Sequence, residues 1–156
     1  TICPGAILGP VLEKDFGTSA NLVIKTMDGS TPALPKLGFE MVDVRNVADL
    51  HILAMEKPEA AGQRYIAAAG YRTFKQVADT LKPHYPKHKI PTRTLPNFAV
   101  RLFAMIDPTL KPILPDLGIH RQVDHSKAVK ELGWDPGNPE DAILACAKTV
   151  VELGLA

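Results

Sequence analysis

Cysteine is almost missing from this sequence: Cys3 and Cys146 are the two present. Two thiols make no disulfide framework, and neither has a partner at metal-ligand spacing. A reducing compartment, the cytoplasm, is the simpler expectation. No apolar run approaches the roughly 18 residues that a membrane-spanning helix needs. No charge of one sign dominates, since 18 Lys and Arg stand against 17 Asp and Glu. That balance gives no electrostatic reason to expect nucleic acid or a membrane surface as partner. No basic, apolar leader is visible. The glycines are too widely scattered for a dinucleotide fingerprint or a P-loop, and there is no G-x-S-x-G elbow. Any phosphate cradle of those kinds lies outside this chain.

What is present describes an ordinary folded domain. A chain of 156 residues can bury roughly 70% of its unfolded surface. Its 46% hydrophobic and 22% charged residues argue against disorder and against a coiled coil. Proline is abundant at 14 residues, and half of them fall between Pro83 and Pro115, which predicts an irregular stretch there. The chain opens on Thr1-Ile2-Cys3-Pro4-Gly5 with no Met. These residues read like the middle of a strand, so part of a longer protein is expected.

Thr1 to Leu8 is apolar and closed by Gly9-Pro10, as a buried strand running into a loop would be. Residues 18–28 predict a helix capped by Thr18 or Ser19 and stopped at Gly29. Phe39 to Val44 predicts a strand, with Asn46 as N-cap of a helix carrying Val47, Leu50, Leu53 and Ala54. Arg64 to Ala69 reads as a short buried strand. Thr73 and Gln76 form a capping box for a helix that Pro83 ends. Asn97 to Ile106 is apolar on most sides and predicts a buried helix. Ser126 is expected to cap a short helix ended by Gly133. Asn138, Pro139, Glu140 and Asp141 open a final helix whose buried stripe is Ile143, Leu144, Ala147, Val150 and Val151. Strands interleaved with helices place the chain in the α/β class.

Few residue sets suggest chemistry by themselves. His84 and His88 are four apart, but Pro83 and Pro86 disrupt helix there and no third ligand is near, so a solvated basic loop is expected. His120 and His125 flank Asp124 with no better case for metal, and His51 reads as structural. Tyr-x-x-x-Lys occurs as Tyr71/Lys75 and Tyr85/Lys89. In a helix such a Lys lowers the Tyr pKa for proton transfer. The first pair straddles a helix start and the second brackets Pro86, so neither is expected to be catalytic.

An ordered series of segments is more informative. Pro4-Gly5-Ala6-Ile7-Leu8-Gly9-Pro10 follows an apolar strand. Val42-Asp43-Val44-Arg45-Asn46-Val47-Ala48-Asp49-Leu50-His51 comes later, then Gly62-Gln63-Arg64-Tyr65-Ile66. Ser126-Lys127-Ala128 through Glu131-Leu132-Gly133-Trp134-Asp135-Pro136 closes the series. Over nearly the whole chain this set resembles the C-terminal half of the extended short-chain dehydrogenase/reductases, within the NAD-dependent epimerase/dehydratase superfamily. It looks most like the dihydroflavonol-4-reductase and cinnamoyl-CoA-reductase-like branch. Asn46 stands where relatives often carry Asp; both cap helices well.

The resemblance implies an α/β fold: the late strands of a Rossmann-type parallel sheet plus a smaller mixed α/β substrate-binding domain. Residues 1–16 and 39–70 would complete the cofactor sheet, and 17–38 and 71–156 would be mainly substrate domain. The glycine-rich loop and the catalytic Tyr and Lys would lie in an N-terminal half absent here, so this chain would hold no catalytic residue and no metal site, and alone would be inactive. The cofactor would be NADP or NAD, bound mainly by that half. By position the resemblance implies cofactor contacts at Pro4, Ile7 and Ser19. Ser19 also falls at an expected helix start, where backbone N–H groups favour anions; the alternative is that it only caps the helix.

Apolar substrate walls are expected around Phe16, Leu37, Phe39 and the stretch from Phe98 to Met105. They suit an aldehyde, ketone or flavonoid-like carbonyl compound better than a diphosphate sugar, which wants convergent Arg and Lys. The implied partners are that small molecule and the chain's own N-terminal half. Unpaired sheet edges invite self-association, leaving a homo-oligomer open. The rival readings are a nucleotide-sugar epimerase or dehydratase, favoured if Arg93, Arg101 and Arg121 converge, and a non-catalytic dinucleotide-sensing regulator.

Overall fold

The computed structural model describes residues 1–14, 17–106 and 108–156. The opening apolar segment forms two short strands, β1 (Ile2–Pro4) and β2 (Ala6–Leu8), separated by Gly5. It changes partners at that glycine. β1 runs parallel to β5 (Tyr65–Ala67), whereas β2 runs parallel to β4 (Gly38–Asp43). The Gly5 amide donates to the Ala67 carbonyl at 3.0 Å. A Cβ on Gly5 would lie 2.4 Å from the Glu40 carbonyl oxygen, so this crossing admits no side chain.

β4 pairs on its other edge, antiparallel, with β6 (Gly70–Thr73). Its side chains alternate between two cores, as a strand buried on both faces requires. Met41 points into one with Leu8, α1 (Ala20–Met27), α3 (Phe74–Leu81) and α6 (Pro139–Glu152); Val42 points into the other with Tyr65, α2 (Val44–Glu56) and α5 (Ser126–Leu132). Trp134 closes the second core, and its indole N–H donates to the Asn46 carbonyl at 2.7 Å, which satisfies the donor that burial would orphan. A two-residue pairing of β3 (Leu34–Pro35) with β7 (Thr94–Leu95) ties down the proline-rich stretch. The architecture is the expected mixed α/β one with parallel sheet strands. Among the described residues no helix is long and apolar enough to cross a membrane.

Several local expectations hold. The Thr73/Gln76 capping box is present, Asn138 caps α6 with Pro139 behind it, and Gly133 ends α5 at φ +64°. Others need correction. The α2 cap is Asp43 rather than Asn46: its carboxylate accepts from the Arg45 amide at 2.8 Å, because β4 enters the helix with no intervening loop. Asn46 instead donates its side-chain amide to the Asp135 carbonyl at 3.1 Å. Ser126 is the first residue of α5, not its cap, and both its amide and its hydroxyl donate to Asp124. The largest departure is α4 (Asn97–Ile106). Val100 and Ala104 are buried, yet Phe98 is 73% exposed, with Leu102, Phe103 and Met105 exposed beside it. The helix forms where its pattern predicts but is not a buried one.

Candidate functional site

A cleft of about 460 Å³ opens where β2 ends and α1 begins. Its walls are Ile7 to Glu13, Gly17 to Ala20, Val44 and Cys146. Gly9 turns the chain out of β2 at φ +135°, and a Cβ there would meet Val44 Cγ1 at 2.8 Å. Glycine is therefore required by conformation and by space. The Val11 amide then donates to the Thr149 hydroxyl at 2.8 Å, fixing the loop against α6. Cys146, one turn earlier on that helix, is 1% exposed. Burial pushes its thiol up to about 11, although the Gly9 amide favours the thiolate, so the sulfur is a neutral wall rather than a nucleophile.

Ser19 sits at the N-cap position of α1, but its backbone is already helical and its side chain makes no capping hydrogen bond. The expected capping role is thus not the one its hydroxyl plays. The cleft brings together Ile7 and Ser19, two of the three residues expected at a cofactor. Pro4 is exposed at the end of β1 and lines neither this cleft nor those described next.

Gly5, which also borders the first cleft, and Ala6 border a second cleft of about 340 Å³, walled by Phe39, Tyr71, Ile119 and Val123. Its charged rim holds Glu40 and the Asp116–Arg121 pair, 2.7 Å apart. Tyr71 also borders a third cleft of about 470 Å³. Its ring lies 3.8 Å from that of His120, and its hydroxyl donates to the Ile119 carbonyl at 3.2 Å. Burial, together with Glu40 and Asp116, raises its pKa, the opposite of what an acid–base tyrosine needs at neutral pH.

Neither Tyr-x-x-x-Lys pair forms. Lys75 pairs with Asp79 on α3, and Tyr85 packs edge-on against His88. No group of metal-ligating side chains exists among the described residues. His51 bonds its own helix at the Val47 carbonyl, 2.8 Å away.

The expected substrate walls do not converge. Phe39 lines the second cleft and packs near Phe74. Leu37 is 2% exposed, a core residue, and its amide donates to the Pro35 carbonyl at 2.9 Å. Phe98 stands on the outer face of α4, and Phe16 lies outside the described residues. Tyr71 was singled out by sequence only as half of a Tyr-Lys pair, and Ile119, Val123 and Thr149 were not singled out at all. For Thr149 a faint signal existed, since it shares a helix face with Cys146 three positions earlier.

The strand pattern makes a mixed α/β unit with parallel sheet strands, a fold it shares with the solved Gre2 of Candida albicans and vestitone reductase of alfalfa. No family model matches the chain. It is 36% identical over 90 residues to cinnamoyl-CoA reductase 1 of Arabidopsis thaliana, covering 58% of this chain and 26% of that protein. It is 34% identical over 110 residues to ketoreductase azaE of Aspergillus niger, covering 62% and 32%. The structure of yeast methylglyoxal/isovaleraldehyde reductase Gre2 with NADPH superposes with a TM-score of 0.70 at 25% identity, over 99% of this chain and 44% of that one. In sequence and in fold the chain is thus similar to the extended short-chain dehydrogenase/reductases of the cinnamoyl-CoA-reductase-like branch. It spans less than half of that solved chain, and its match covers under a third of each of those two curated relatives.

Proposed function

We propose that this chain is the C-terminal, substrate-binding portion of an NAD(P)H-dependent carbonyl reductase acting on an aldehyde, ketone or dihydroflavonol-like compound. In this reading residues 1–16 and 39–70 complete the cofactor sheet and 17–38 and 71–156 form mainly the substrate domain. The observation that carries it is the first cleft, where an apolar strand end with Ile7 meets a helix start whose Ser19 hydroxyl makes no capping hydrogen bond. Such a cleft suits a ligand with a flat ring at one end and phosphates at the other. The relatives support a nicotinamide cofactor, with NADPH in the Gre2 complex.

A reduced nicotinamide supplies hydride to the carbonyl carbon when bound. The chain's own residues would orient it: backbone groups at Ile7 would hold the ring end, and Ser19 would donate to a phosphate oxygen. Phe39, Tyr71, Ile119 and Val123 would exclude water from the carbonyl compound in the second cleft, which shares Gly5 with the first. In this reading, as the family resemblance implies, a Tyr of the N-terminal half donates the proton to the carbonyl oxygen. The nucleotide-sugar reading loses ground because Arg93 and Arg101 line none of the three clefts and Arg121 is paired with Asp116.

The test is Ser19→Ala in the full-length protein that contains this chain. Losing a hydrogen bond to a charged group, about 1.5–3 kcal/mol, weakens NADPH binding by about tenfold or more, with kcat at saturating NADPH little changed. Unaltered NADPH affinity would remove Ser19 from the site.

A further inference from the structure

We propose that the C-terminal helix positions the cofactor loop, and that Thr149 is the positioning residue through which it does so. The inference rests on the reading of the first cleft as the cofactor site, and it assigns a role to a side chain that does not line that cleft.

Strand β2 ends at Leu8, and the chain then passes through Gly9 and Pro10. Pro10 has no amide to donate. Among the described residues of 9–14, the Val11 amide reaches across to α6. It donates to the Thr149 hydroxyl across 138 positions of sequence, while Gly9 and Cys146 line the cleft beside it. That hydroxyl also sits 3.0 Å from the Cys146 carbonyl and 3.3 Å from that of Ala145. Its one proton is therefore directed back into its own helix, and a lone pair is left aimed at Val11. The hydroxyl is oriented before the loop arrives.

A loop so held presents Ile7 to Glu13 at a fixed distance from the start of α1, and that distance sets whether one ligand can touch both Ile7 and Ser19. Valine at position 149 keeps the shape and removes the acceptor. The Val11 amide is then unpartnered, and the loop no longer has a defined position over the cleft. Serine keeps the acceptor.

The experiment compares wild type, Thr149→Val and Thr149→Ser in the full-length protein that contains this chain. It measures the NADPH dissociation constant, KM for NADPH against kcat, deuterium exchange of the peptide covering residues 9–14, and thermal unfolding. Thr149→Val is expected to speed exchange of that peptide. It should also raise both the dissociation constant and KM for NADPH by about tenfold, with kcat at saturation within about twofold. Thr149→Ser restores all three, which a merely structural side chain would not separate from stability. Wild-type NADPH affinity in Thr149→Val, with NADPH protecting residues 7–20 in the wild type, overturns this inference alone. NADPH binding that leaves residues 7–20 of the wild type unprotected overturns the reading of the cleft, and this inference with it. A Thr149→Val protein that only unfolds at lower temperature, with affinity and exchange unchanged, makes Thr149 structural and also overturns the proposal.

Discussion

Two helices, α4 and the less apolar α6, meet opposite fates. On α6, Ile143, Cys146, Ala147 and Val150 pack into the core under β2 and β4. On α4, Phe98, Leu102, Phe103 and Met105 face outward while Val100 and Ala104 face in. The difference lies in what surrounds each helix. α6 is flanked by α1, α3 and two strands, whereas α4 follows a proline-rich segment that carries one two-residue strand. An apolar pattern fixes which side of a helix avoids water, and it does not say what covers that side.

The comparison can be broken most sharply by truncation on each helix. Ile143→Ala should cost about 2–5 kcal/mol of unfolding free energy, the usual range for a buried aliphatic residue. Leu102→Ala should fall within about 0.5 kcal/mol of wild type, as exposed positions do. Denaturant unfolding of both variants checks this, and equal losses would mean that α4 is covered in solution. A hydrophobic dye should bind the wild-type chain, and it should bind less to Phe98→Ser and no less to an α6 surface variant such as Lys148→Ala.

A smaller effect is expected at the turn that α6 supports. Gly9→Ala must hold φ +135° and place a methyl against Val44. The strained backbone alone costs about 1–3 kcal/mol, and thermal unfolding measures it.

Smaller again is the pH dependence of the β4–α2 junction. Burial pushes the Asp43 carboxyl up, but hydrogen bonds from the Arg45 guanidinium and amide outweigh it and hold the pKa below the ordinary range. A depressed folded pKa adds stability that is full above the unfolded value, about 3.9, and is lost as pH falls through the folded value. Asp43→Asn should therefore narrow the stability gap between pH 7 and pH 3; an unchanged gap would count against it. The smallest effect separates two helix starts. Asn138→Ala removes a cap bond and should cost about 1 kcal/mol. Ser126→Ala should cost less, because the Ser126 amide keeps its bond to Asp124.

The sequence made legible what short-range chemistry decides. The box at Thr73 and Gln76, the Asn138-Pro139 start and the Gly133 stop each need only a few adjacent residues, and each is present. Asp43 displaced Asn46 as a cap because strand and helix join without a loop, which no local pattern announces. Of the candidate site, the sequence pointed to one strand and one helix start, and Ile7 and Ser19 line one cleft. The site was illegible wherever distant segments close upon it. Val123 comes from the loop before α5 and Thr149 from α6, and Leu37 is buried while Phe39, two residues on and across the turn into β4, is exposed, a break in alternation that no local pattern announces.

One measurement bears most directly on the central claim, that the cleft between β2 and α1 holds the cofactor: a crystal structure of the full-length protein that contains this chain, with NADPH bound. The account predicts the nicotinamide against the backbone around Ile7 and a phosphate oxygen within hydrogen-bond distance of Ser19, with the Val11 amide still on Thr149. NADPH bound with no contact to residues 7–20 would contradict it.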